Sequence, residues 1–143
     1  MKLIPEWYEH QNCLIAWPCN QDLYGEIINS ARDEVANVIN EIAKTEHVIV
    51  LSNKEHIKEI KSKTDYKNIK ILECKLDDSW MRDIGPIFYT EDKKLKSISF
   101  NFNGYGKYPD YFNDNKVSKF ISNHLNIPTK NSDLVIEGAA ITY

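Results

Sequence analysis

The sequence predicts an α/β fold, and three observations carry that prediction. Short apolar runs and helical stripes follow one another as strand, helix, strand, helix, strand up to Leu72. Apolar residues make up 42% and charged residues 27%, the balance of a folded globular chain. At 143 residues the chain is long enough to bury a core of its own.

Leu14 to Trp17 is a short apolar run closed by Pro18, read as a buried strand before a polar loop. Ile28, Ala31, Val35, Val38 and Ile42 then recur at alternating steps of three and four. That stripe predicts a helix near Ile27–Ala43, with Asp33, Asn37, Glu41 and Lys44 on its other side. His47 to Leu51, with Val-Ile-Val at its centre, reads as a strand. Ser52 and Glu55 have the spacing of a capping box for a helix over Lys54–Lys63, whose apolar positions are Ile57 and Ile60. Ile69 to Leu72 is the next strand.

Asp77 to Pro86 is polar, aromatic and turn-like. Ile87 to Thr90 and Leu95 to Phe102 read as a hairpin across Glu91–Lys94. The glycines of Asn103-Gly104-Tyr105-Gly106 mark a loop. Asp114 is expected to cap a helix over Lys116–Leu125 with Val117, Phe120, Ile121 and Leu125 on its apolar side, and Pro128 keeps that helix from running on. Leu134 to Ile136 is the last strand. No Pro/Ser-rich linker interrupts residues 1–143, which read as one domain. Strand–helix–strand recurs around the first helix and again around Asp114–Leu125, the hint of a repeated module.

Charge and cysteine usage narrow the function classes. A net charge of −3 makes no electrostatic claim on nucleic acid or anionic membrane. The basic cluster Lys58, Lys61, Lys63, Lys67 and Lys70 is broken by Glu59 and Asp65 and reads as a solvated face. Cys13, Cys19 and Cys74 are odd in number and irregular in spacing, unlike a disulfide framework or a zinc site. The start of the chain lacks the apolar run of a signal peptide, and no stretch has bilayer length, so a reduced cytoplasmic setting is expected.

The densest segment is Asp77-Asp78-Ser79-Trp80-Met81-Arg82-Asp83-Ile84-Gly85-Pro86. By composition it reads first as a surface loop in which Asp and Arg pair and Trp80 fills a core niche. A second reading stands beside it. A carboxylate matches a guanidinium through two parallel hydrogen bonds, and an aromatic face suits a cation or its alkyl stem. Trp80 and Asp83 diverge in a strand and converge in a turn, which Gly85-Pro86 favours.

Asp78-Ser79-Trp80-Met81-Arg82-Asp83-Ile84-Gly85-Pro86 resembles the signature of agmatine deiminases and the related bacterial peptidyl-arginine deiminases, aspartate-x-tryptophan-x-arginine-aspartate-x-glycine-proline. Pro5-Glu6-Trp7 with His10, then Ala16-Trp17-Pro18, resembles the family's amino terminus. Phe102-Asn103-Gly104-Tyr105-Gly106 resembles its phenylalanine-asparagine loop, with Tyr105 where tryptophan is usual. Val135-Ile136-Glu137-Gly138 resembles its glutamate-glycine-glycine segment, with Ala139 in place of the second glycine. These motifs stand in family order along the whole chain.

The resemblance implies a pentein fold, five α/β modules around a pseudo-fivefold axis, of which about two fall within this chain. It implies that Asp83 and Glu137 hold a substrate guanidinium and that Trp80 lines the same pocket. In the family a cysteine thiolate attacks the guanidinium carbon, ammonia leaves, a histidine assists proton transfer, and water hydrolyses the covalent intermediate. No metal or organic cofactor is expected. From agmatine the product is N-carbamoylputrescine, on a route to putrescine; peptidyl arginine is the alternative substrate.

The family's catalytic histidine and cysteine lie downstream of its glutamate-glycine-glycine segment, so this chain is expected to carry neither. Cys13, Cys19 and Cys74 sit in no matching motif, and His10, His47, His56 and His124 are read as structural or solvent-exposed. The expected roles are therefore an inactive amino-terminal portion, one half of a split deiminase with a complementing chain, or a non-catalytic guanidino-binding module. An uncovered partial ring is expected to self-associate. If the second family glycine meets a steric need, Ala139 costs about 1 kcal/mol, unless the backbone shifts or adopts a conformation alanine tolerates.

Overall fold

The computed structural model describes residues 1–5, 7–65 and 67–141. Its strands are β1 (Lys2–Leu3), β2 (Asn12–Ala16), β3 (His47–Ser52), β4 (Ile69–Glu73), β5 (Ile87–Glu91), β6 (Lys94–Asn101) and β7 (Thr129–Val135). Its α-helices are α1 (Gln21–Tyr24), α2 (Ile28–Ile42), α3 (Ile57–Lys63), α4 (Met81–Ile84) and α5 (Val117–His124). The chain forms two compact units, one of His10–Ser79 and one of Met1–Glu9 with Trp80–Tyr143. Among the described residues no helix is long and apolar enough to cross a membrane.

The His10–Ser79 unit is a parallel sheet in the order β2-β3-β4, connected through α2 and α3. Val48, Ile49, Val50 and Leu51 are all buried, which is why β3 reads as a continuous apolar run. Trp17, Ala36, Ile39, Ala43, Val48, Val50 and Ile60 form the core, flanked by Ile15, Val35, Ile42, Ile69 and Ile71.

The predicted first helix is present, but its buried seam is turned relative to the predicted stripe. Ala36, Ile39 and Ala43 are fully buried, Val35 and Ile42 flank them, and Val38 is 51% exposed. Counting apolar residues finds the helix; the sheet decides which of two adjacent rows it covers. Ile39→Ala should therefore cost about 2–5 kcal/mol. Val38→Ala should cost less than about 0.5 kcal/mol, because it exchanges an exposed β-branched residue for the best helix former. Urea denaturation of both variants checks the assignment, and equal losses would refute it.

Several local readings are corrected. Ser52 ends β3 and donates its hydroxyl to the Asn53 carbonyl, so no capping box forms with Glu55. A 3-10 turn over Lys54–His56 leads into α3 instead. The polar loop after Pro18 contains α1, capped by the Asn20 side chain, which accepts from Leu23 N at 3.0 Å. His56, read as structural or solvent-exposed, is structural: Arg32 lies 3.3 Å from its Nε2, and Glu59 lies 3.9 Å from its Nδ1. Burial first and then the Arg32 charge lower the His56 pKa, against the smaller pull of Glu55 and Glu59. Arg32 also donates to the Pro18 carbonyl at 3.1 Å, joining α2 to the loop after β2.

The second unit has a mixed sheet in the order β1-β5-β6-β7, with β1/β5 and β5/β6 antiparallel and β6/β7 parallel. Helix α5 lies between β6 and β7 in sequence, so strand–helix–strand does recur. The β5–β6 hairpin turns through Asp92 and Lys93, both at positive φ, as a two-residue primed turn demands. Asp114 lies buried inside a 3-10 turn over Asp114–Lys116 rather than capping it. The Asn115 carboxamide instead accepts from Phe102 N at 2.7 Å.

Helix α5 ends before Pro128 is reached. Asn126 takes a left-handed φ of 55°, Asn126 N bonds to Asn123 O and Ile127 N bonds to Ser122 O, which is a Schellman closure. The side of α5 that packs inward includes Val117 and Ile121 as predicted, and also Ser118 and Ser122. Ser122 Oγ is 2.9 Å from Ser97 Oγ on β6, and Ser97 is 2.9 Å from Thr129 Oγ1 on β7. β7 begins at Thr129, whereas the sequence predicts strand only from Leu134 to Ile136, because Lys130, Asn131, Ser132 and Asp133 offer no apolar alternation.

Candidate functional site

The signature segment crosses the boundary between units, with Asp78 and Ser79 in the first and Trp80 onward in the second. Asp78 is buried, and its Oδ1 accepts from Ser79 N at 2.7 Å. Tyr24 Oη lies 2.7 Å from Ser79 Oγ, so this end of the motif is held by hydrogen bonds within the His10–Ser79 unit.

From Trp80 the chain makes one helical turn, in keeping with the turn the sequence suggests. Asp83 N and Ile84 N both donate to Trp80 O, at 2.9 and 3.1 Å. Gly85 N then closes on Met81 O at 3.0 Å, and a Cβ on Gly85 would sit only 2.7 Å from that carbonyl oxygen. Glycine is thus required to end α4 so tightly. Ile84 and Pro86 are buried, Asp83 is half-buried, and Trp80 is 46% exposed.

Two distant segments meet the Asp83 carboxylate. Tyr105 donates its hydroxyl to Oδ2 at 2.7 Å, and Ala139 N donates to Oδ1 at 3.2 Å. Tyr105 lies in the tight turn Gly104–Gly106, in which all three residues have positive φ. Ala139 lies in the 3-10 turn Gly138–Ala140, and the half-buried Glu137 immediately precedes that turn. The structure therefore brings Asp83 against the segment that carries Glu137.

A cavity of about 10 Å3 lies beneath Asp83, lined among others by Phe102, Asp114, Asn115, Ser118 and Gly138. It is at the lower limit for one water molecule and far too small for a guanidino ligand. Trp80 and Glu137 are not among its lining residues.

Gly138, not the position after it, carries the steric demand. A Cβ there would overlap the Arg82 carbonyl oxygen. Ala139 is absent from the positive-φ residues, so it has a conformation alanine tolerates. The sequence marked Tyr105 as a departure from the family but offered no signal that its hydroxyl reaches Asp83, 22 residues away. Glu6 of the amino-terminal motif lies outside the described residues.

Residues 2–143 match the family of Porphyromonas-type peptidyl-arginine deiminases. The chain belongs to this family. It is 32% identical over 142 residues to a Mycoplasma capricolum protein provisionally named an agmatine deiminase, covering 95% of this chain and 39% of that protein. The structure of the Enterococcus faecalis agmatine deiminase superposes with a TM-score of 0.89 at 20% identity, over 96% of this chain and 39% of that one. A substrate-bound agmatine deiminase of C. jejuni gives 0.85 at 26% identity, over 99% and 42%. The fold is thus that of a partial pentein, and the chain spans 39–42% of the length of these relatives.

Proposed function

We propose that this chain supplies the guanidinium-holding part of an agmatine deiminase-type hydrolase. The observation that carries the reading is the Asp83 carboxylate, held on both oxygens beside the Glu137 segment. An ionised carboxylate has about four acceptor positions, and two of Asp83's are used, one on each oxygen. Among the described residues no other donor takes these oxygens, and one acceptor position on each is the pattern a bidentate guanidinium needs. Glu137 supplies the second carboxylate, and Trp80, with its ring accessible, covers the alkyl stem.

The reaction is agmatine plus water giving N-carbamoylputrescine plus ammonia, a step toward putrescine in a reduced cytoplasm. A guanidinium carbon is a poor electrophile because resonance spreads its charge. A thiolate adds to that carbon, the carbon–nitrogen bond to a terminal amino group breaks, and the departing ammonia takes a proton from a histidine. Water then adds to the resulting amidino thioether, returning a proton to the histidine, and the thiolate leaves. That thiolate and histidine come from a further part of the polypeptide or from a complementing chain. Asp83 and Glu137 orient the planar cation and offset its desolvation. Leu134 and Val135, both more than half exposed on the edge strand β7, are the surface such a partner or a second copy would cover.

Calorimetric titration of the chain with agmatine and with a blocked arginine peptide tests the reading. Asp83→Asn should weaken agmatine binding by roughly tenfold or more, the worth of a charge-assisted bond. Glu137→Gln should act in the same direction. Tighter binding of the peptide would make peptidyl arginine the substrate. Wild-type affinity in both variants would refute the assignment.

A further inference from the structure

A carboxylate turns about its terminal bond in a broad, shallow potential, so position on a helix does not by itself orient its plane. Asp83 sits on the four-residue α4, and its two described donors reach it from 22 and 56 residues away in sequence. One is a backbone N–H that any residue but proline would offer at 139. The other is a side chain.

The Tyr105 loop is built around that side chain. Tyr105 has φ 60° and ψ 19°, a left-handed conformation costing a non-glycine residue about 1–2 kcal/mol, between glycines at φ 64° and 66°. The Asn103 side chain clamps the turn by accepting from Gly106 N at 3.0 Å. The Tyr105 ring packs edge-on against Phe102 at 5.1 Å and Tyr108 at 6.2 Å. Strain is thus held at a residue that is 39% exposed and whose hydroxyl ends on Asp83. Strain maintained at an accessible side chain is a pointer to function more than to packing.

We propose that Tyr105 is a positioning residue, whose hydroxyl holds the Asp83 carboxylate in the orientation that accepts a planar guanidinium. This rests on the reading of Asp83 as a guanidinium acceptor. Its consequence is selectivity. A guanidinium needs two parallel acceptors in a set plane, whereas an ammonium is a compact charge largely indifferent to carboxylate rotation. Loss of the hydroxyl therefore weakens guanidinium binding and spares ammonium binding.

The experiment titrates the 143-residue chain with agmatine and with 1,5-diaminopentane, in which a methylene and an ammonium together replace the guanidinium at similar length. Tyr105→Phe keeps the ring and removes the hydroxyl; Tyr108→Phe is the control on the same loop. For Tyr105→Phe we expect agmatine affinity to fall roughly tenfold and diamine affinity to change less than about twofold. Thermal melts establish that the variants fold. In parallel, the 13Cζ resonance of Tyr105 is compared between the wild type and Asp83→Ala, which reads the contact without any ligand. A folded Tyr105→Phe protein that keeps the wild-type agmatine-to-diamine ratio overturns the positioning role. So does a Tyr105 resonance that does not move. If the resonance moves but the wild type does not prefer agmatine over the diamine, the guanidinium reading of Asp83 falls, and this role falls with it.

Discussion

Agmatine incubated with this 143-residue chain alone is expected to release no ammonia above the uncatalysed background. None of the three thiols stands in a motif that matches the family nucleophile, and Cys13 is poorly placed to act as a thiolate. Cys13 lies in β2, where burial foremost, and the Glu46 charge after it, raise its pKa. A raised pKa lowers the thiolate fraction, and the thiolate is the nucleophile. Cys74 is buried and donates to the Lys75 carbonyl at 3.7 Å. Cys19 donates its S–H to the Leu76 carbonyl at 3.6 Å. Deleting the nucleophile from a covalent hydrolase typically costs many orders of magnitude in rate. An ammonia assay with and without Cys19→Ser decides the matter, with light scattering to report whether the chain self-associates. Turnover that disappears with Cys19→Ser would identify Cys19 as the nucleophile and overturn the assignment of the thiolate to another part of the protein.

Replacing Gly138 by alanine is expected to cost about 1–3 kcal/mol, the range for forcing atoms into filled space. The added methyl would overlap the Arg82 carbonyl oxygen, and Ile87 Cδ1 lies 3.4 Å away on another side. Backbone must move, because the obstacle is a carbonyl on α4 and not the end of a flexible side chain. The same movement pulls Ala139 N from Asp83 Oδ1, so agmatine affinity should fall along with the melting temperature. Ala139→Gly is the matched comparison. Because Ala139 is not held at positive φ, glycine there gains no relief and adds chain entropy to the unfolded state. It should lose about 0.5–1 kcal/mol. Thermal melts of the two variants test the contrast. A Gly138→Ala protein as stable as wild type, or a stabilised Ala139→Gly protein, would show that the steric demand has been placed at the wrong position.

The contrast between these neighbours marks where local sequence information ends. Most regular elements were legible from periodicity, because strands and helices impose repeats of two and 3.6 on which residues are apolar. β3 and the helices α2, α3 and α5 follow from runs such as Val48-Ile49-Val50 and stripes such as Val117 with Ile121. The signature around Asp83, and the match of the Glu137 segment to the family, were also legible, since a motif is a pattern in one dimension. What the sequence left open depends on partners far along the chain. Val38 and Ile39 are equally apolar neighbours, and only packing on the sheet buries one and exposes the other. Thr129 to Asn131 carry no strand signal, yet pairing with Ser97 to Ser99 makes them part of β7. Nothing local distinguishes Gly138 from Ala139; the Arg82 carbonyl packed against Gly138 does. In sequence Tyr105 is a substitution in a loop; in the fold its hydroxyl lies on Asp83. In each case the deciding force is a short-range contact, steric or hydrogen-bonded, between residues that only the folded backbone brings within reach.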